Sequence, residues 1–161
     1  MRAILYIFLV SLYCVSKLPA QTCELQVLPD TMTLHGAGKI LEGQRVSVSL
    51  KKGGEITLFI SGDGKVYLRF LVKENFYFDK TDILEIRSGS KSYYAKNVKQ
   101  FKVDKTTGLF VFEIFTNYLT TLKEEGITAI SFSKADTNFT RKDASEVRKA
   151  AFCIYELLGR K

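Results

Sequence analysis

The stretch from Arg45 to Phe78 restricts the fold more than any other part of the chain. It reads RVSVSL, KKGGE, ITLFI, SGDGK and VYLRFLVKENFYF. Val46, Val48 and Leu50 alternate with Ser47 and Ser49, the two-residue period of a half-buried strand. Ile56, Leu58 and Ile60 resume that period after Gly53-Gly54, and Val66, Leu68 and Phe70 after Ser61-Gly62-Asp63-Gly64. Gly and Asp accept the positive φ of tight hairpins, so the breaks fall where antiparallel strands reverse. The block predicts the middle of an antiparallel sheet.

Around it, Cys23 to Leu28 and Thr31 to Leu34 read as short strands split by Pro29-Asp30, with the proline suited to an edge. Lys39 to Leu41 resumes a strand before a turn at Glu42-Gly43. Ile83 to Arg87 is a strand, and Lys91 to Val103 a polar strand with a bend. Leu109 to Phe115 is apolar on both faces and belongs in the middle of a sheet. Asn117 to Glu125 has a helical stripe, capped by Thr116 or Asn117 and ended by Gly126. Ile127 to Phe132 returns to strand period, and Lys134 to Thr140 reads as a polar loop. A long helix over 143–158 starts from a capping box of Asp143 and Glu146 and carries an apolar stripe from Val147 to Leu158. Eight or nine strands with one short and one long helix make the fold mainly β. The expected form is a β-sandwich-like antiparallel domain with the C-terminal helix packed on it, a partly open barrel being the alternative.

Residues 1–20 have the form of a cleaved secretory signal: Arg2, an apolar run over Ala3 to Val15, then Leu18-Pro19-Ala20. An uncleaved anchor is the alternative, though the run is short for a membrane span. Lipid attachment at Cys14 would follow a small residue, and Tyr13 is not one. Removing residues 1–20 leaves a single domain over 21–161 and takes away Arg2 and Lys17, lowering the net charge from +7 to +5. That excess permits contact with anionic envelope polymers or lipid head groups and does not point to nucleic acid. No later segment is apolar enough to span a bilayer. Cys23 and Cys153 are then an even pair in a chain sent to an oxidising compartment, and the expectation is a disulfide between them.

Few common chemistries have a foothold. His35 is the only histidine, which removes two-histidine zinc sites. With both mature cysteines assigned to a bridge, no cysteine–histidine nucleophile remains, and His35 between flexible neighbours reads as a solvated loop residue. Gly36-Ala37-Gly38-Lys39 is followed by Ile40 and lacks the spacing of a phosphate loop. Ser61-Gly62-Asp63-Gly64 and Asp79 to Asp82 are turns, without the register of oxygens that a calcium loop supplies. Asn138-Phe139-Thr140 matches a glycosylation acceptor, relevant in a eukaryotic host. No catalytic, metal or cofactor pattern emerges. A pair of carboxylates for glycoside hydrolysis is a spatial arrangement that no sequence spacing marks.

The most suggestive segment is Lys91 to Lys105, KSYYAKNVKQFKVDK. Lys91, Lys96, Lys99 and Lys102 interleave with Tyr93 and Tyr94, which together form a candidate surface for an anionic ligand. The ordinary reading is a solvated edge strand whose lysines discourage aggregation. Phe76, Tyr77 and Phe78 raise the same question, since alternation puts at least one of them outside the core.

The run Phe110 to Phe132, FVFEIFTNYLTTLKEEGITAISF, resembles a strand, short helix, Gly-Ile, strand arrangement in uncharacterised exported β-rich proteins of Gram-negative bacteria. There it follows a Ser-Gly turn and a Tyr-rich strand, as Ile83 to Tyr94 do here. The resemblance implies fold and compartment and supplies no catalytic residues. The resulting expectation is an exported, non-enzymatic binding or interaction module at the periplasm or cell surface. Its partner would be an anionic envelope polymer or an envelope protein. The alternatives are a small carboxylate-dependent polysaccharide hydrolase and a structural subunit of a surface assembly.

Overall fold

The structure, a computed structural model, describes residues 23–34, 39–51, 53–72, 83–95, 98–103, 107–132 and 135–159. The signal-like segment 1–20, His35 with Gly36 to Gly38, and the Phe76 to Asp82 stretch lie outside the described residues. Ten strands form two antiparallel sheets. In chain order they are β1 (Leu28–Leu34), β2 (Lys39–Ser49), β3 (Glu55–Ser61), β4 (Val66–Val72), β5 (Leu84–Ser88), β6 (Lys91–Ala95), β7 (Lys99–Lys102), β8 (Gly108–Ile114), β9 (Ala129–Phe132) and β10 (Ala135–Asn138). Helix α1 (Thr116–Glu125) lies between β8 and β9, and helix α2 (Arg141–Gly159) follows β10. One sheet has the order β1-β2-β3-β4-β8-β7 and the other β10-β9-β5-β6. This is the mainly β, sandwich-like domain with a C-terminal helix that the alternation predicts.

The expected hairpins fall where the glycines stand. Between β3 and β4, the Gly64 N–H donates to the Ser61 carbonyl at 2.9 Å with Gly64 at φ 83°, a left-handed conformation that glycine adopts without strain. Val46 then pairs with Leu58, and Leu58 with Leu68, in one rank across β2, β3 and β4. Their inward side chains meet Leu84, Ile86 and Ile130 of the second sheet in one buried cluster. Both helices close this core: Leu119 and Leu122 of α1 and Val147, Ala151 and Ile154 of α2 are fully buried in it. Phe70 meets Phe139 edge-to-face at 5.8 Å beside them.

Several boundaries differ from those the sequence predicts. β1 runs through Pro29-Asp30 unbroken, because it is an edge strand and a proline there can leave its missing N–H on the open side. β2 runs through Glu42-Gly43 without turning, since both residues pair with β1. Residues 135–138 form β10 against β9 rather than a loop, held by backbone pairing that side-chain polarity does not report. Thr116 and Asn117 do not cap α1; Phe115 stands at that position and no side chain caps it.

Helix α2 begins one turn-fraction earlier than the sequence suggests, at Arg141, because the cap is Thr140 with Asp143 rather than Asp143 with Glu146. The Thr140 hydroxyl donates to Asp143 Oδ2 at 2.7 Å, the Thr140 N–H donates to the same oxygen at 3.0 Å, and the Asp143 N–H donates back to the hydroxyl at 3.2 Å. This is a reciprocal capping box. Asp143 Oδ1 also accepts the Lys51 N–H at 3.0 Å, which ties the helix start to the β2–β3 hairpin.

Cys23 and Cys153, 130 positions apart in sequence, are joined in a disulfide with Cα atoms 4.9 Å apart. It fastens the segment before β1 to α2, and the exposed Glu24 carboxylate next to it lies 3.7 Å from Lys149 Nζ.

Candidate functional site

The lysine-tyrosine segment is not one strand. Its first half is β6, paired with β5 in the four-stranded sheet; its second half is β7, paired with β8 in the six-stranded sheet. Each is an outermost strand of its sheet. Ala95 at the end of β6 and Lys99 at the start of β7 are four residues apart in sequence, so the two strand ends lie within about 14 Å of each other. The Tyr93 hydroxyl reaches the Glu113 carbonyl of β8 at 3.5 Å, beyond the last residue that β7 covers. The two edges therefore run along the same flank of the sandwich.

The candidate residues divide accordingly. Tyr93 turns inward and stacks on Tyr118, with ring centroids 4.2 Å apart. Burial, followed by the charge of Glu113, raises its pKa. Tyr118 is buried, and burial and the neighbouring Tyr93 push its pKa far up, while its hydroxyl donates to the Ile86 carbonyl at 3.3 Å. Tyr118 is a core residue, and Tyr93 is half-buried against that core. Tyr94, 58% exposed, and Lys91, also exposed, do face solvent. Lys99 is half-buried on β7, Lys102 lies at the end of that strand, and Lys96 lies outside the described residues.

A second constellation is on the outer face of the six-stranded sheet. There five of the outward side chains, Met32, Leu41, Phe59, Tyr67 and Val111, form a separate buried cluster. β8 is apolar on both faces for this reason, its Phe110 and Phe112 entering the main core and Val111 the outer cluster. Phe59 packs against the backbone of Gly43, where an added Cβ would lie 2.7 Å from the ring and 2.1 Å from the Ile60 carbonyl oxygen. Burial, then the carboxylates of Glu113 and Asp63, raise the pKa of Tyr67.

At the rim of this cluster stand three charges. Arg69 Nη1 donates to Asp30 Oδ2 at 2.9 Å, and Arg45 Nε lies 3.8 Å from the same oxygen. The side chains are 25%, 34% and 20% exposed for Arg69, Arg45 and Asp30. An open cleft of ≈ 480 Å³ is lined by Pro29, Asp30, Thr31, Glu42 and Gly43, so of the three charged residues Asp30 alone lines it. The sequence gives no direct sign of this grouping. The one available signal is parity: Arg45 and Arg69 occupy outward positions of β2 and β4, on the same side of the sheet as Phe59.

The outer face of the small sheet is polar and internally bonded. Arg87 Nη2 donates to Ser131 Oγ at 2.6 Å, and Ser92 Oγ donates to Glu85 Oε1 at 2.5 Å. Among the described residues no three His, Cys, Asp or Glu side chains gather as metal ligands. Carboxylate hydrolysis would need two carboxylates facing one substrate. Asp30, Glu55, Asp63, Glu85 and Asp143 each accept a hydrogen bond from a group beside them. No helix among the described residues is long and apolar enough to cross a membrane.

No family model, curated protein or solved structure matches the chain.

Proposed function

We propose that the protein is an exported, non-enzymatic binding module of the bacterial envelope that takes an anionic polymer along the flank formed by β6 and β7. The observation that supports this reading is the placement of two outermost strands from different sheets on one side of the sandwich, with Lys91 and Tyr94 exposed there. Lysines attract a polyanion over a Debye length of about 10 Å, and an exposed tyrosine offers a face on which a sugar ring stacks. The disulfide between Cys23 and Cys153 suits an oxidising compartment. Export itself rests on the signal-like segment 1–20.

The test is binding of the purified protein to peptidoglycan, lipopolysaccharide, and neutral and acidic polysaccharides at low and high salt. The Lys91→Glu/Lys99→Glu double variant and Tyr94→Ala are run alongside. Salt-sensitive binding to an anionic polymer that both variants weaken supports the reading. Failure to bind any of these polymers, or binding that neither variant alters, sinks it.

A further inference from the structure

We propose that Arg45 and Arg69 form an oxyanion site on the outer face of the six-stranded sheet, which binds a carboxylate or phosphate group of a ligand and for which the Asp30 carboxylate is the resident competitor. Each guanidinium offers five N–H donors in a planar fork, and such forks match the paired oxygens of carboxylates and phosphates. Here two forks converge on one oxygen of one carboxylate. Arg69 makes the single 2.9 Å bond, while Arg45 Nε is enclosed, 3.8 Å from Asp30 Oδ2, with no hydrogen-bond acceptor. An enclosed donor without an acceptor is costly to maintain, and the arrangement carries two positive charges against one negative.

The setting is suited to a ligand. Both guanidiniums come from paired strands, β2 and β4, on either side of β3, so their spacing is fixed by the sheet. Between them on β3 lie Phe59 and Thr57, both buried, and a floor from which water is excluded strengthens any charge-assisted hydrogen bond formed above it. The heads of Arg45 and Arg69 remain partly open to solvent, so an anion can reach them. This constellation is on a different part of the fold from the β6–β7 flank, and neither assignment depends on the other.

A structural ion triad and a ligand site with a resident competitor differ in what happens when Asp30 loses its charge. The probes are inorganic phosphate and acetate, titrated against the full-length protein at constant ionic strength and followed by thermal shift and by chemical-shift changes of the arginine side chains. The two probes separate phosphate from carboxylate preference. In the wild type, one or both stabilise the protein saturably. Asp30→Asn is less stable without ligand but binds the preferred anion about tenfold tighter or more, because the competitor is gone. Arg69→Gln abolishes the saturable effect, and Arg69→Lys, which keeps the charge without the fork, weakens it about tenfold. If Asp30→Asn does not fold, the arginine variants decide alone. The proposal is overturned if neither anion acts saturably on wild type and Asp30→Asn, if Asp30→Asn binds no tighter than wild type, or if Arg69→Gln binds as well as wild type.

Discussion

Asp30 and Arg69 stand three strands apart in the six-stranded sheet, yet the Asp30 carboxylate accepts a 2.9 Å hydrogen bond from the Arg69 guanidinium. In a flat sheet their strands would be about 14 Å apart, at about 4.8 Å per step. The register sets them further apart along the strands, because Asp30 aligns with Gly43 and Ser61 while Arg69 aligns with Thr57 and Ser47. The contact therefore measures a strong coil: β1 and the first half of β2 curl over the outer face and bring Met32 and Leu41 onto the cluster with Phe59. Replacing Asp30 by Ala leaves two guanidiniums without their shared acceptor. Because all three groups are partly exposed, the expected loss is about 1 kcal/mol, read by chemical denaturation. Hydrogen exchange of the β1 amides should rise more than that of β3, since the contact secures the curled edge and not the centre.

Gly43 is where that curl meets the packed face. A methyl group there would overlap the Ile60 carbonyl and the Phe59 ring, and the carbonyl belongs to backbone that cannot swing aside. Gly43→Ala is expected to destabilise by about 1–3 kcal/mol, the range for overpacking, measured by urea denaturation. An unchanged midpoint would mean that β2 and β3 are further apart at this point than the sheet pairing places them.

Much of this fold is written in local periods, and the rest is not. Val46, Ile56 and Val66 announce their strands two residues at a time, and Val147, Ala151 and Ile154 announce α2 by helical spacing. The Cys23–Cys153 pair followed from counting thiols after removal of the signal-like segment. Sheet membership has no local period, so Lys91 to Val103 reads as one bent strand, although residues 91–95 pair in one sheet and 99–102 in the other. β10 is illegible because Asp136 and Asn138 favour turns and its backbone pairing with β9 leaves no period in the sequence. Asp30, Arg45 and Arg69 were illegible as a group because the coil that joins them depends on register and curvature across several strands.

The disulfide closes a loop spanning 130 residues of sequence, and the chain-entropy relation gives such a closure about 5 kcal/mol. The double variant Cys23→Ser/Cys153→Ser is expected to lose an amount of that order in denaturant. Reductant should lower the wild-type midpoint towards that of the variant and leave the variant unaffected. A wild-type midpoint indifferent to reductant under conditions that cleave the bond would show that the helix–sheet core holds the N-terminal segment unaided.

Acid stability should depend on Asp143. Its burial acts to raise the carboxyl pKa, but the hydrogen bonds from the Thr140 side chain and from the Lys51 and Thr140 N–H groups, with the Lys51 charge, outweigh it and hold the pKa below the usual carboxylate value. A group whose folded pKa lies below its unfolded value stabilises the fold at pH above the unfolded value, about 3.9 for Asp, and loses that contribution as pH falls through the folded value. Protonation in that window would neutralise the carboxylate that accepts from three donors, weaken those bonds, and loosen both the start of α2 and its tie to the β2–β3 hairpin. Asp143→Asn is expected to be less stable at neutral pH by about 1–2 kcal/mol, the scale of a lost cap. The gap between wild type and variant should narrow below pH of about 4, where the wild-type carboxyl also becomes neutral. Denaturant midpoints of the two proteins across pH 2–7 measure it directly. Parallel curves over that whole range would show that the Asp143 charge contributes nothing to holding the helix in place.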